Sequence, residues 1–93
     1  MSNQQKKISE YQLREAAGKY WILHMTQKGI PYEAPFSVNA VAAEVWKGLQ
    51  AGESRSDIAE KLSKKYGTPK VELQQDIQLF VEQLEKMGII IEE

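Results

Sequence analysis

The sequence predicts an α+β fold: a small three-stranded antiparallel sheet packed on a three-helix winged helix-turn-helix bundle. Two patterns lead to this prediction. Residues 10–38 hold short runs of strand-forming residues between turn signals, whereas residues 40–87 hold apolar residues at helical spacing. Strands followed by helices are typical of a sheet with its helices on one side. A chain of 93 residues is enough for one domain with one modest core.

The start of the chain differs in composition from the rest. Residues 1–9 are polar, so we expect a disordered N-terminal tail, and we assign residues 10–93 to a single domain. Polarity alternates from Tyr11 to Glu15, and Gly18 follows as a turn. These features predict a first strand that leads into a hairpin.

The second and third strands differ in their expected position. Lys19–Met25, KYWILHM, is rich in aromatic and β-branched residues and should pair with the first strand. We expect His24, the only histidine, on the open face of this strand. Residues 26–35 form a loop by composition, and Pro35–Val38 forms a third, short strand. A proline cannot donate a ladder hydrogen bond, so Pro35 puts this strand at the edge of the sheet.

Cap residues bound the first two helices. Asn39 is the expected N-cap of Ala40–Gln50, and Gly52 ends that helix. Ser54, followed three residues later by Asp57, has the spacing of a capping box and opens the second helix. Helical spacing predicts these buried residues in the two helices: Val41, Ala42, Val45, Trp46 and Leu49, then Ile58, Ala59, Leu62 and Tyr66.

The third helix is predicted for Pro69–Met87. Thr68 is the expected N-cap, and Gly88 can adopt the left-handed conformation that closes a helix. A short apolar tail, Ile89–Ile91, would follow as a strand or as a plug on the core. The apolar stripe of this helix contains Leu73, Ile77, Phe80, Val81, Leu84 and Met87.

The composition argues against an enzyme. The chain has no cysteine and one histidine, and its six glycines occur singly, so it offers no thiolate, no histidine pair and no phosphate-binding loop. Its carboxylates are scattered along solvent faces, without apolar flanks that would raise their pKa. We therefore expect no catalytic residues, no cofactor and no metal.

Charge and hydropathy narrow the class of partner. The longest apolar runs have four residues, far below the ~20 that span a bilayer, and no signal peptide is evident, so we expect a cytoplasmic protein. The net charge is −1, and neither half of the chain has a large basic excess: five basic and four acidic residues in 1–46, seven and nine in 47–93. Binding to a nucleic-acid backbone needs such an excess.

A peptide-binding groove is a third reading of the pattern. The exposed edge of a small sheet can pair with the backbone of another chain, and a helix beside it can supply side-chain pockets. Leu79 lies outside the stripe of the third helix although it is apolar, and Asp76 and Gln83 lie on the same flank. A scattered surface leucine and the lip of a groove both explain this position.

Four segments of the chain resemble the PqqD-like family of peptide-recognition domains. In order and spacing they cover nearly the whole chain from Leu13 onwards, although each one consists mainly of turn signals and core positions. The segments are LREAAGKYWIL (13–23), VNAVAAEVWKGL (38–49), SRSDIAEKLSKKYG (54–67) and DIQLFVEQLEKMGII (76–90).

The resemblance implies a function and a site. Members of this family capture the leader segment of a ribosomal precursor peptide without catalysis and deliver it to a modifying enzyme, often a radical-SAM protein. The leader adds as a strand along the third strand, beside the third helix. Carried over by position, the implied peptide-binding residues are Phe36, Ser37, Val38, Asp76, Leu79, Phe80 and Gln83.

The chain departs from the family pattern at three residues. Val41 occupies a position where threonine is common, and Pro31 and Pro35 precede the edge strand. Because Pro35 has no N–H, the added ladder should be short and should begin after it. We expect Val38→Pro to abolish leader binding with little effect on the fold. The alternatives are a winged-helix DNA-binding or regulatory protein and an interaction domain that forms a homodimer through the same edge.

Overall fold

The structure is a computed structural model that describes residues 6–25 and 34–90, without the side chains of Lys6 and Ile90. It contains three helices and a three-stranded antiparallel sheet, which confirms the α+β class. The helices follow one another through short turns, which is compatible with a helix-turn-helix bundle. In chain order the elements are β1 (Lys6–Lys7), a 3₁₀ turn (Ile8–Glu10), β2 (Tyr11–Ala16), β3 (Lys19–His24), β4 (Phe36–Val38), α1 (Ala40–Gln50), α2 (Arg55–Tyr66), α3 (Lys70–Lys86) and β5 (Ile89–Ile90).

The main sheet has the order β2-β3-β4, with both neighbouring pairs antiparallel. The β2–β3 hairpin closes at the pair Ala16–Lys19. The two turn residues, Ala17 and Gly18, have φ angles of 56° and 76°. Positive φ at both positions is the mark of a type I′ turn, whose twist matches that of paired strands. The predicted hairpin is confirmed, and β4 confirms the third strand from Phe36 onwards.

The N-terminal segment corrects the expected tail. Lys6 and Lys7 pair in parallel with β5, and the side chain of Ile8 is 6% exposed. The side-chain amide Nε2 of Gln50 donates to the carbonyl oxygens of Ile8 (3.0 Å) and Tyr11 (2.8 Å). Residues 6–9 are thus part of the fold, and assigning them to a disordered tail was wrong. Residues 1–5 lie outside the described residues, as does loop 26–33 with Pro31.

The helix caps follow the sequence with one exception. The Asn39 side chain accepts from the N–H of Ala42, and the Ser54 side chain accepts from the N–H of Asp57. The expectation that Thr68 caps α3 was wrong, because the N-cap is Pro69. The carbonyl of Thr68 instead accepts a hydrogen bond from the Ser63 hydroxyl at 2.6 Å, which ties the end of α2 to this turn.

The core lies between the inner face of the sheet and the helices. Trp46 is fully buried at its centre, and Ile89 is 1% exposed, so β5 pairs as a strand and also fills the core. Tyr66, expected to be buried, is 43% exposed and lies beside the Lys65 ammonium. It is the last residue of α2. Helical periodicity shows which side of a helix faces the core, but not how far along the helix the core extends. The main core residues are Ile8, Tyr11, Ile22, Val45, Trp46, Leu49, Ile58, Leu62, Leu73, Ile77, Val81, Leu84 and Ile89.

His24 is buried rather than on the open face. Its side chain shares the inner face of β3 with Ile22, and only 5% of the residue is exposed. Its Nε2 lies 3.0 Å from a carboxylate oxygen of Glu10, and its ring stacks on Tyr11 at 4.6 Å between centroids. The histidine therefore joins the start of β2 to the end of β3 as a structural residue.

Candidate functional site

A groove of about 570 Å³ runs between β4 and α3. This volume is in the usual range for ligand-binding clefts. One wall is the C-terminal part of β4, the other is a flank of α3, and α1 supplies the floor. The described residues that line it are Ser37, Val38, Asn39, Val41, Ala42, Val45, Thr68, Leu73, Asp76, Ile77, Leu79, Phe80 and Gln83.

The structure brings together six of the seven site residues expected from the sequence. Ser37 and Val38 lie on the strand side, and Asp76, Leu79, Phe80 and Gln83 lie on the helix side. Phe36 does not line the groove. It stands opposite Ile22 in the sheet and packs, half-buried, against the core.

The hairpin fixes which backbone groups of β3 point toward β2. In antiparallel pairs, hydrogen-bonded and non-hydrogen-bonded positions alternate along the strand. The N–H of Met25 donates to the carbonyl of Glu10 at 2.8 Å, so the pair Glu10–Met25 is hydrogen-bonded. Every second pair along the register is hydrogen-bonded, so the pair Arg14–Trp21 is hydrogen-bonded as well. The pair that closes the two-residue turn is also hydrogen-bonded, as such turns require. The backbone groups of Trp21 thus point toward β2.

The same alternation shows which groups of β4 face outward. Because Trp21 points toward β2, the backbone groups of Tyr20 and Ile22 point toward β4. Their partners across the pair are Val38 and Phe36. The N–H and C=O of Ser37 therefore point away from β3, toward the edge with which no described strand pairs. Ser37 is the residue of β4 whose N–H can bond to an added strand.

The floor of the groove was missed by the sequence interpretation. Val41 and Ala42 are half-buried and Val45 is buried, and all three lie on α1. Helical spacing assigned them to the core, because an apolar residue that faces a groove and one that faces another helix have the same periodicity. The position of α1 beside β4 is what separates the two cases.

The helix flank contains both apolar and polar groups. Leu79 is 64% exposed at the rim, whereas Phe80 is half-buried and also packs against the core. Asp76 and Gln83 are exposed and lie one turn to either side of these two residues. Among the described lining residues, Asp76 is the only one that carries a charge. The groove thus offers an apolar floor, a free strand edge and one carboxylate.

Carboxylates lie beside the lysines of α2. Ammonium groups of α2 and of the start of α3 lie within 4 Å of carboxylates. A hydrogen bond from Lys65 lowers the pKa of the Glu44 carboxyl, and the same bond raises the pKa of Lys65. The pairs are Lys61–Glu53, Lys64–Glu60, Lys65–Glu44 and Lys70–Glu60. This surface lacks the unpaired cations that a phosphate backbone requires.

Residues 6–25 and 34–90 contain neither a candidate metal site nor a membrane-spanning helix. No group of three or more histidine, aspartate or glutamate side chains in these ranges is arranged to hold a metal ion. No helix in the same ranges has the length and apolar character needed to span a membrane.

Two solved structures with a similar fold are described as complexes with leader peptides. The chain is similar to a structure described as lasso peptide synthetase B1 complexed with the leader peptide, with a TM-score of 0.68 and 22% identity over 85% of this chain and 87% of that one. It is also similar to TbiB1 in complex with the TbiA(beta) leader peptide, with a TM-score of 0.65 and 17% identity over 84% and 85% of the two chains. These likenesses show a shared fold.

Comparison of the sequence with known proteins gives the family. No curated protein matches the chain significantly. A family model described as Coenzyme PQQ synthesis protein D (PqqD) matches residues 13–90. This match covers the main sheet, all three helices and the groove between β4 and α3. The chain therefore belongs to the PqqD family.

Proposed function

We propose that this protein is a non-catalytic recognition domain that binds the leader segment of a ribosomal precursor peptide. The leader lies in the groove as an added strand on β4, with alternate side chains on the apolar floor. The observation that carries the proposal is the juxtaposition of two features: a strand edge at Ser37 with which no described strand pairs, and the flank of α3 at Leu79 and Phe80. Membership in the PqqD family and the leader complexes of two structural neighbours support it.

The added ladder is short because of its flanking residues. Pro35 has no N–H to donate, and the carbonyl of Asn39 already accepts from the N–H of Ala43 at 2.9 Å. The paired backbone is therefore centred on Ser37. A net contribution of about 0.5–1.5 kcal/mol per hydrogen bond makes the backbone contacts modest. Most of the affinity then comes from side chains placed on the groove floor.

The bound leader is delivered to a modifying enzyme, for which a radical-SAM protein is our proposal. The domain itself supplies binding and not chemistry, since the groove contains one carboxylate and no second titratable group among its described lining residues. Holding the leader on a small domain raises the effective concentration of the attached core peptide at the enzyme. The resemblance to PqqD-like domains supports this adaptor role.

The experiment is a titration with synthetic leader segments of short peptides encoded beside this gene. Amide shifts in the spectrum of the labelled protein should be confined to residues 36–45, which include β4 and the groove floor, and to the Asp76–Gln83 flank of α3. The scrambled sequence of each segment is the control. A leader that binds with shifts elsewhere, or no binding by any of these segments, would contradict the proposal.

A further inference from the structure

We infer that the groove selects a leader in which an apolar residue and a cationic residue, lysine or arginine, are separated by one position. This inference rests on the proposed function and specifies its substrate class. It follows from the arrangement of charge and apolar surface along α3.

Charge distribution in the groove calls for a cation. Asp76 is the only charged group among the described lining residues, and no described cationic side chain lines the groove to neutralise it. Glu72 lies one turn earlier on a similar side of α3 and adds to the negative potential. The described ion pairs involve neither carboxylate. A positive group on the ligand would complete this site, and a negative one would be repelled.

The spacing follows from the geometry of the two elements. Asp76 and Phe80 are four residues apart, which corresponds to about 6 Å along α3. Side chains on one face of an extended strand repeat about every 6.6–6.8 Å. For an added strand that runs along α3, a groove-facing apolar side chain beside Leu79 and Phe80 places the next groove-facing side chain beside Asp76. The two ligand residues are i and i+2, in an order that depends on strand direction.

The shape of the groove explains why both residues are needed. Val41, Ala42 and Val45 form an apolar floor, whereas Asp76 is exposed at the rim. An ion pair at such an exposed place contributes little by itself. The ion pair discriminates between peptides only when the apolar residue has fixed the position of the peptide in the groove.

The test uses short synthetic peptides of polar host sequence and fluorescence anisotropy at low salt. The first pair of peptides carries Leu-x-Lys in one peptide and the reverse order, Lys-x-Leu, in the other. A second pair has glutamate in place of lysine. A third pair has two residues between leucine and lysine. Wild-type protein should bind the better Leu/Lys version about fivefold more tightly than its glutamate counterpart. The preference should fall as salt is added, because the site is exposed.

Variants assign the preference to Asp76. Asp76→Lys should invert it, so that the glutamate peptide binds more tightly, and Asp76→Asn should abolish it. Glu85→Lys is the matched control, because it makes the same charge change on an exposed position about 180° around α3. This control should keep the wild-type preference.

Three outcomes would overturn the inference. They are equal binding of lysine and glutamate peptides, an inverted preference in Glu85→Lys, and no difference between the two leucine–lysine spacings. If any of them occurs while natural leader segments still bind at the β4 edge, the proposed function stands without this specificity. If neither the designed peptides nor the natural leaders bind, both fail.

Discussion

At the scale of single residues, Ser37 has a place that no other residue of β4 shares. Its backbone groups point to the free edge, and its neighbours Phe36 and Val38 use theirs to pair with β3. The side chains alternate in the same way, so Phe36 and Val38 face the core side of the sheet. A substitution at Ser37 can therefore remove an edge donor without breaking the sheet.

Ser37→Pro should weaken leader binding about tenfold and leave the melting temperature nearly unchanged. The lost N–H is an edge donor, and proline is tolerated on an edge strand where the N–H faces outward. Titration calorimetry measures the first effect and thermal unfolding the second. Ser37→Ala keeps the N–H and should bind like wild type. Wild-type affinity in Ser37→Pro would show that the leader does not pair at this edge.

The residue for this test could not be chosen from the sequence. The sequence favours Val38 for the proline substitution, because alternation along a short strand does not reveal which residues form hydrogen bonds to the neighbouring strand. The hydrogen-bond phase set by the hairpin now shows that the N–H of Val38 points to Tyr20. Val38→Pro would therefore break the β3–β4 pairing. A loss of binding in this variant could not be distinguished from a loss of structure.

Leu79→Asn should weaken leader binding about tenfold with little loss of stability. Leu79 is 64% exposed at the groove rim, so burial against a leader would contribute most of its apolar surface to binding. Val71→Asn is the control, since Val71 is 60% exposed on the same helix but does not line the groove. Equal affinities for the two variants would remove Leu79 from the binding site.

At the scale of secondary-structure elements, the β2–β3 hairpin sets the phase of the whole sheet. The turn contains Ala17 at φ 56°, a conformation that costs an L-residue with a Cβ about 1–2 kcal/mol. Asparagine followed by glycine is the preferred pair for a type I′ turn, and Gly18 is already in place. The turn is thus well formed with a suboptimal first residue.

Ala17→Asn should stabilise the protein by about 0.5–1 kcal/mol, which raises the melting temperature of a domain of this size by roughly 2–8 °C. Thermal unfolding followed by circular dichroism measures the change. Ala16→Asn, one position earlier in the extended strand β2, should be neutral or destabilising. A lower melting temperature for Ala17→Asn than for Ala16→Asn would contradict the turn assignment.

The sequence predicts elements best where the signals are strong and local. Caps at Asn39 and Ser54 and the apolar stripe of α3 place the helices, because each signal lies within the element that it defines. The pair β1–β5 has two residues in each strand and joins the ends of the chain, so no periodicity marks it. The β1–β5 pairing depends on tertiary contacts, such as the hydrogen bonds from Gln50 to the carbonyls of Ile8 and Tyr11.

At the scale of the whole molecule, the groove exists only because three elements meet. Six of the residues implied by the family resemblance line the groove, whereas the floor from α1 was not predicted; the six are Ser37, Val38, Asp76, Leu79, Phe80 and Gln83. The distribution of charge between α2 and the groove is also a property of the whole molecule. The lysines of α2 pair with carboxylates from α1, from α2 itself and from the turn before α2, and the single charge in the described groove lining is negative.

Duplex DNA should not bind this protein at micromolar concentrations, even at low salt. A phosphate backbone needs several free cations on one face, whereas the described lysines of α2 lie beside carboxylates and the net charge is −1. Fluorescence anisotropy with a labelled duplex measures this, and a leader peptide under the same conditions is the positive control. Binding that weakens steeply with salt would favour a winged-helix DNA-binding protein.

The most direct test of strand addition is amide hydrogen exchange measured by NMR with and without a saturating leader segment. The Ser37 N–H should exchange freely in the isolated protein and at least about tenfold more slowly in the complex, because the leader provides its hydrogen-bond acceptor. The N–H groups of Phe36 and Val38 already bond to β3 and should change less. An unchanged exchange rate at Ser37 in a saturated complex would show that the leader binds without pairing to β4.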